Sequence, residues 1–256
     1  MKIIVSKDAK ALGENAAEYI ADLINEAINE NGEARIVLST GASQLTTLEA
    51  LIEKNIDWSK VTMFHLDEYV NLPETHIASF RKYLRERFIN KVNLNAYYLV
   101  DGTKECIAEL TKELRKSPID VGLIGIGENS HIAFNDPPAD FDTKEAYIIV
   151  NLNDTCKNQQ VREGWFATVD DVPAQAVSMT VYQIMQCKKI VSCVPYGVKS
   201  HAVKVTLEND ETNIYPATIM KKHDDFTLFV DEDSFAEVNE KNIRPAPGCG
   251  YTLERK

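Results

Sequence analysis

Short, nearly uninterrupted apolar runs alternate with helix-periodic stretches along the whole chain, and no feature constrains its fold more. The runs are Lys2–Val5, Arg35–Ser39, Val61–Leu66, Val121–Ile126, Tyr147–Leu152, Ala174–Met179, Lys189–Val194 and Phe226–Val230. Continuity of this kind, in place of strict in–out alternation, belongs to strands covered on both faces. Between them, Ala9 to Ile28 puts Leu12, Ala16, Ile20, Leu23, Ile24 and Ala27 on one helical face and stops at Asn31-Gly32. Further helices are expected over Thr46–Lys54, over Ser79–Ile89, which is basic and amphipathic, and over Val198–Leu207. The alternation predicts an α/β fold, a doubly wound and mostly parallel sheet with helices on both faces. The 256 residues contain no repeat, no low-complexity tract and no linker, so one domain over 1–256 is expected. Residues 239–256, with Pro245, Pro247, Gly248 and Gly250, read as an irregular C-terminal extension on the surface.

Charge and cysteine usage narrow the partners. A formal net charge of −11 sets up a field that repels nucleic acid and anionic membranes, and neither is expected as a partner. An anionic substrate would need a local pocket of cations or backbone amides to overcome that field. The five cysteines form no C-x-x-C pair, which points to reduced thiols and a cytoplasmic protein. The apolar start Met1–Val5 is too short for a signal peptide, and no stretch is long enough to span a bilayer. The histidines and cysteines show no metal-ligand spacing, and no cofactor is expected.

Ligands of open α/β sheets bind just beyond the carboxyl ends of the strands. Three loops there carry chemistry. The run Val121–Ile126 passes into Gly125-Ile126-Gly127-Glu128-Asn129-Ser130-His131-Ile132-Ala133-Phe134-Asn135-Asp136-Pro137, where His131 is the one group that ordinarily titrates near neutrality. A glycine turn whose polar residues only cap the next element fits this loop equally well by itself. The loop Ser39-Thr40-Gly41-Ala42-Ser43-Gln44 has small residues and a following helix, a suitable cradle for phosphate. It has neither the Walker spacing nor the dinucleotide fingerprint, and a plain turn with Ser43 as N-cap is the alternative. The loop His65-Leu66-Asp67-Glu68-Tyr69-Val70-Asn71-Leu72-Pro73 places Asp67 or Glu68 at the crevice as a proton-transfer base, unless the pair faces solvent or caps a helix. Lys199, after Lys189–Val194, and Arg162 are candidate counter-charges for phosphate, although solvated surface positions are the commoner fate of such residues.

Together these residues resemble the glucosamine-6-phosphate deaminase (isomerase) family. The matches are Leu66-Asp67-Glu68-Tyr69-Val70 with Leu72-Pro73, Gly125-x-Gly127, His131-Ile132-Ala133-Phe134-Asn135, Val172-Pro173, Ala176 and Lys199, in order from about Ser39 to about Val230. The resemblance implies a Rossmann-like fold and a metal-free conversion of D-glucosamine 6-phosphate and water into D-fructose 6-phosphate and ammonium. Carried over by position, His131 assists opening of the sugar ring. Asp67 moves a proton between C2 and C1 through an enediol-type intermediate. Thr40, Gly41, Ala42, Ser43 and Lys199 surround the phosphate.

This chain departs from the family pattern behind the histidine. Asn129 stands where the bacterial enzymes carry aspartate, and Asp136 where they carry glutamate. Asn129 can bond an imidazole nitrogen but cannot stabilise an imidazolium by charge. Ala42 replaces a common glycine and Gln44 a frequent proline, while Asp142-Thr143-Lys144-Glu145-Ala146 lacks the basic residues of the family's allosteric site. No activation by N-acetylglucosamine 6-phosphate is therefore expected, and a sigmoidal rate curve made hyperbolic by that sugar phosphate would contradict this. The expected partner is a small phosphorylated amino sugar; the oligomeric state stays open, a homo-oligomer included. Three other readings compete: a galactosamine-6-phosphate deaminase, a 6-phosphogluconolactonase, and a sugar-phosphate-binding protein without catalysis. The lactonase pattern has Thr-Ala-Ser after the histidine and Arg after the Asp-Glu pair, where this chain has Ile-Ala-Phe-Asn and Tyr69.

Overall fold

The computed structural model describes residues 1–256, the side chain of Lys104 excepted. Its first half runs through β1 (Lys2–Ser6), α1 (Ala9–Asn31), β2 (Ala34–Leu38), α2 (Leu45–Leu51), β3 (Val61–His65) and β4 (Asp67–Tyr69). Then come α3 (Phe80–Arg87), β5 (Ala96–Tyr98), α4 (Lys104–Leu114), β6 (Val121–Leu123), β7 (Tyr147–Asn151) and α5 (Asp154–Arg162). The rest comprises β8 (Gln175–Met179), α6 (Val181–Ile184), β9 (Lys189–Val194), α7 (Ser200–Glu208), β10 (Phe226–Asp231), α8 (Glu232–Phe235) and β11 (Thr252–Arg255).

Eight strands form one sheet in the order β11-β1-β10-β9-β6-β2-β3-β5, and every pairing in it is parallel. Successive residues bury on opposite faces: Ile3, Val5 and Val37 join one apolar layer, Ile4, Ile36 and Leu38 the other. That two-sided burial explains the continuous apolar runs. The chain belongs to the α/β class, with a Rossmann-like, doubly wound sheet.

α1 shows how sequence sets position. Asp8 caps it by accepting from the Ala11 amide at 2.8 Å, and Gly32 ends it at φ 81°. Gly13 lets α2 approach closely: a Cβ there would lie 2.6 Å from the Thr46 carbonyl carbon. Since α2 follows the Ser39–Gln44 loop, this contact fixes where that loop sits.

Two expected strands lie elsewhere than in the main sheet. Tyr147–Leu152 and Ala174–Met179 correspond to β7 and β8, which pair antiparallel with each other in a separate three-stranded sheet whose central strand, β8, also pairs antiparallel with β4. The segment read as a loop at Asp67 is itself a strand, with Asp67, Glu68 and Tyr69 opposite Ser178, Val177 and Ala176. The tail is also more ordered than an irregular extension: Thr252–Arg255 pairs in parallel with β1, while Pro245, Pro247, Gly248 and Gly250 fall in the connection before it. A short, charged sequence is what a sheet edge tolerates.

Candidate active site

β9, β6, β2 and β3 are neighbours in the sheet, so the segments leaving their carboxyl ends meet. They enclose a cavity of about 450 Å³. Thr40, Gly41, Ala42 and Ser43 come to it from β2, Asp67 from β3, His131 from β6, Lys199 from β9, and Arg162 from α5. Asn129 and Asp136 do not line the cavity; they stand behind the imidazole.

The His131 ring is held on several sides. Its Nδ1 lies 2.6 Å from Asn129 Oδ1 and 3.3 Å from Asp136 Oδ1, and Asn129 Nδ2 donates to Asp136 at 3.0 Å. An amide whose NH₂ is committed to Asp136 offers the ring only its oxygen, so Nδ1 carries the proton and Nε2 is left as an acceptor. Burial works against a charge on Asp136. Hydrogen bonds from His131 and from the Asn129 amide outweigh it and hold the carboxyl below its usual range. The ring packs on Gly127, where a Cβ would lie 2.1 Å from His131 Cε1. Ser130 and Ala133, on either side, adopt φ of 68° and 50°, strained for residues with a Cβ. Asn135 anchors the loop to the small sheet, donating to Ile132 O at 2.8 Å and Met179 O at 2.9 Å.

The two adjacent carboxylates have different fates. Asp67 is buried, and burial together with the charge of Glu68 raises its pKa to about 8. Glu68 is fully buried and accepts from the Tyr69 amide, Ser79 Oγ, the Arg81 amide and Arg81 Nε. Four donors make it an anchor for the start of α3, which leaves Asp67 as the carboxyl that faces the cavity.

Across the cavity lies the amide loop. Among the described residues, none accepts from the backbone amides of Gly41, Ala42 or Ser43, and the buried Ser39 Oγ has no partner. Gly41 needs its φ of 106°, and its carbonyl accepts from the Gln44 amide at 3.1 Å and from Tyr83 Oη at 2.9 Å. Gln44 bridges Ser43 Oγ and Cys193 O. Burial lowers the Lys199 ammonium below its ordinary range despite the nearby Glu128 and Glu163, and Arg162 adds to the lowering. Arg162 is more exposed and pairs with Glu128 Oε2 at 2.6 Å. Cys156 also faces the cavity, but burial and then Asp136 push its thiol up to about 12, which removes it as a nucleophile. Among the described residues, no group of three or more His, Cys, Asp or Glu side chains could hold a metal ion.

Residues 7–229 match the model of the glucosamine-6-phosphate isomerases/6-phosphogluconolactonase family. This chain belongs to that family. Within the isomerase/lactonase family it is 32% identical over 243 residues to a glucosamine-6-phosphate deaminase of Streptococcus uberis, covering 93% of this chain and 100% of that protein. A solved structure described as a monomeric glucosamine-6-phosphate deaminase superposes with a TM-score of 0.83 at 26% identity, covering 92% of this chain and 99% of the other. A 6-phosphogluconolactonase-like protein of Neisseria gonorrhoeae shares the fold, with a TM-score of 0.72 at 21% identity over 91% of this chain and all of its own. Of the Asp67-Glu68 pair, Glu68 takes the helix-capping alternative at the start of α3, while Ser39 as an unpartnered hydroxyl, Tyr83 beneath the amide loop and the whole of α5 are absent from the sequence reading. Tyr83 was readable only as one aromatic on an amphipathic helix.

Proposed function

We propose that this enzyme converts D-glucosamine 6-phosphate and water into D-fructose 6-phosphate and ammonium. One observation carries the reading: a buried carboxyl of raised proton affinity, a supported histidine and an amide-lined loop share a single cavity. The similarity to curated deaminases over nearly the whole chain supports the same substrate.

The phosphate dianion would sit on the Gly41–Ser43 amides with Ser39, Ser43 and Lys199 around it. Arg162 would exchange Glu128 for phosphate as the substrate arrives. His131 Nε2 takes the proton from the C1 hydroxyl and delivers it to the ring oxygen as its bond to C1 breaks, giving the open aldehyde. The C2 proton is now acidic. Asp67, as carboxylate, removes it, the electron pair moves onto the aldehyde oxygen, that oxygen takes a proton from the substrate's own C2 ammonium, and an enol bearing the C2 amine results. Asp67 then returns the proton to C1, leaving a protonated imine at C2. Water adds to that imine and the C–N bond breaks, releasing ammonium; this last step is what makes the enzyme a hydrolase as well as an isomerase. Each positioned acid–base group contributes about 10²–10⁴-fold. A cytoplasmic setting is part of the proposal, supported by five free thiols.

The test is a panel: glucosamine 6-phosphate, galactosamine 6-phosphate and 6-phosphogluconolactone, with ammonium, ketose and acid release measured. Ammonium and fructose 6-phosphate from the first substrate are expected. Preference for the second would move the assignment to the C4 epimer, and acid from the third alone would make the protein a lactonase. Substrate binding with no product at all would leave a binding protein.

A further inference from the structure

Tyr83 lines the cavity from α3, yet no step of the reaction needs a phenol. Its hydroxyl donates to Gly41 O at 2.9 Å, the carbonyl that also accepts from the Gln44 amide at 3.1 Å. A trans peptide is planar, so its C=O and N–H point in opposite directions. The carbonyl held by Tyr83 belongs to the Gly41–Ala42 peptide, and the N–H of that peptide is the Ala42 amide. Among the described residues nothing accepts from that amide. Gly41, at φ 106°, offers little resistance to rotation of its own, so this peptide could turn if the carbonyl were released. The other end of α3 is fixed: Glu68 accepts from Ser79 Oγ, the N-cap hydroxyl, and from the Arg81 amide, both at 2.9 Å. α3 thus ties the strand carrying Asp67 to the loop proposed to hold phosphate.

We propose that Tyr83 is a positioning residue that, through its hydrogen bond to Gly41 O, holds the Ala42 amide toward the substrate's phosphate. The inference rests on the phosphate seat proposed above. It concerns binding and not the proton transfers, so it separates KM from kcat.

The test uses the whole enzyme with Tyr83→Phe, which keeps the ring and deletes the donor, beside Ser43→Ala as a probe of the seat itself. KM for glucosamine 6-phosphate and the inhibition constant of inorganic phosphate are measured for each, with circular dichroism to show that both fold. In Tyr83→Phe both constants should rise together by about tenfold, the equivalent of ~1.4 kcal/mol, while kcat changes by less than about threefold. If Ser43→Ala raises both constants and Tyr83→Phe raises neither, the seat stands and the role of Tyr83 is overturned. A fall in kcat with both constants unchanged would also overturn it. If inorganic phosphate does not compete with substrate in the unaltered enzyme, the seat is wrong and the inference falls with it. Should Tyr83→Phe fail to fold, Tyr83→His, which can still donate, should restore folding with both constants nearer to the unaltered enzyme; constants no nearer than those of Ser43→Ala would refute the role.

Discussion

At the scale of single residues, the site depends on keeping groups in states that water would not favour. Asp67 is the clearest. With its pKa raised to about 8 by burial and by Glu68, the folded protein holds a proton that the unfolded chain has released above its ordinary carboxylate range. Between about pH 4 and pH 8 the native state therefore binds more protons, and stability falls as pH rises, at up to about 1.4 kcal/mol per pH unit. Asp67→Asn removes that penalty. Urea denaturation should find the variant more stable than the unaltered protein at pH 8, with the gap closing toward pH 4; equal stability at pH 8 would contradict the burial argument. Gly127 is the second such position. A Cβ placed 2.1 Å from His131 Cε1 cannot coexist with the imidazole as it stands. Gly127→Ala should therefore lower kcat/KM by about 10²-fold or more, the scale of a displaced acid–base group, with the circular dichroism spectrum intact. Unchanged kinetics would show that His131 can work from another position.

At the scale of elements, the packing of helices decides where loops can bind. Gly13 meets Thr46 across the α1–α2 contact, and α2 continues directly from the amide loop. Gly13→Ala should cost about 1–3 kcal/mol in unfolding free energy, the usual range for overpacking, and should raise KM by shifting the loop; a stable variant with unaltered KM would deny that coupling. Elements also show what the sequence could and could not say. The parallel strands were legible because two-sided burial leaves continuous apolar runs such as Val121–Ile126. β4 was not, because its Asp67-Glu68 pair looks like a polar loop until Ser178 and Val177 are seen opposite. β7 and β8 were recognised as strands but not as a separate sheet, since pairing direction leaves no mark on an apolar run. α5 was hidden because Asp154–Arg162 is mostly polar and buries only Cys156. His131, Asp67 and Lys199 could be nominated from residue chemistry and loop position. The hydroxyl of Tyr83 could not, because its partner is a backbone carbonyl 42 residues away.

At the scale of the whole molecule, a chain with a net charge of −11 brings the Gly41–Ser43 amides and Lys199 together at one sheet edge, where they are proposed to recognise an anionic substrate. Main-sheet topology brings the Gly41–Ser43 loop, Asp67 and His131 there from β2, β3 and β6. The small antiparallel sheet closes over them through β4 and the Asn135 anchor to β8. No helix is long and apolar enough to cross a membrane among the described residues. The central claim is that this edge performs proton transfer between C2 and C1 of an amino-sugar phosphate with Asp67 as the base. It is tested most directly by comparing ammonium and fructose 6-phosphate release from glucosamine 6-phosphate by the unaltered enzyme and by Asp67→Asn at pH 8. The account predicts equal amounts of both products from the former and a loss of about 10³-fold or more in kcat for the latter, with inhibition by inorganic phosphate unchanged. Full-rate turnover by Asp67→Asn, or no ammonium from the unaltered enzyme, would contradict it.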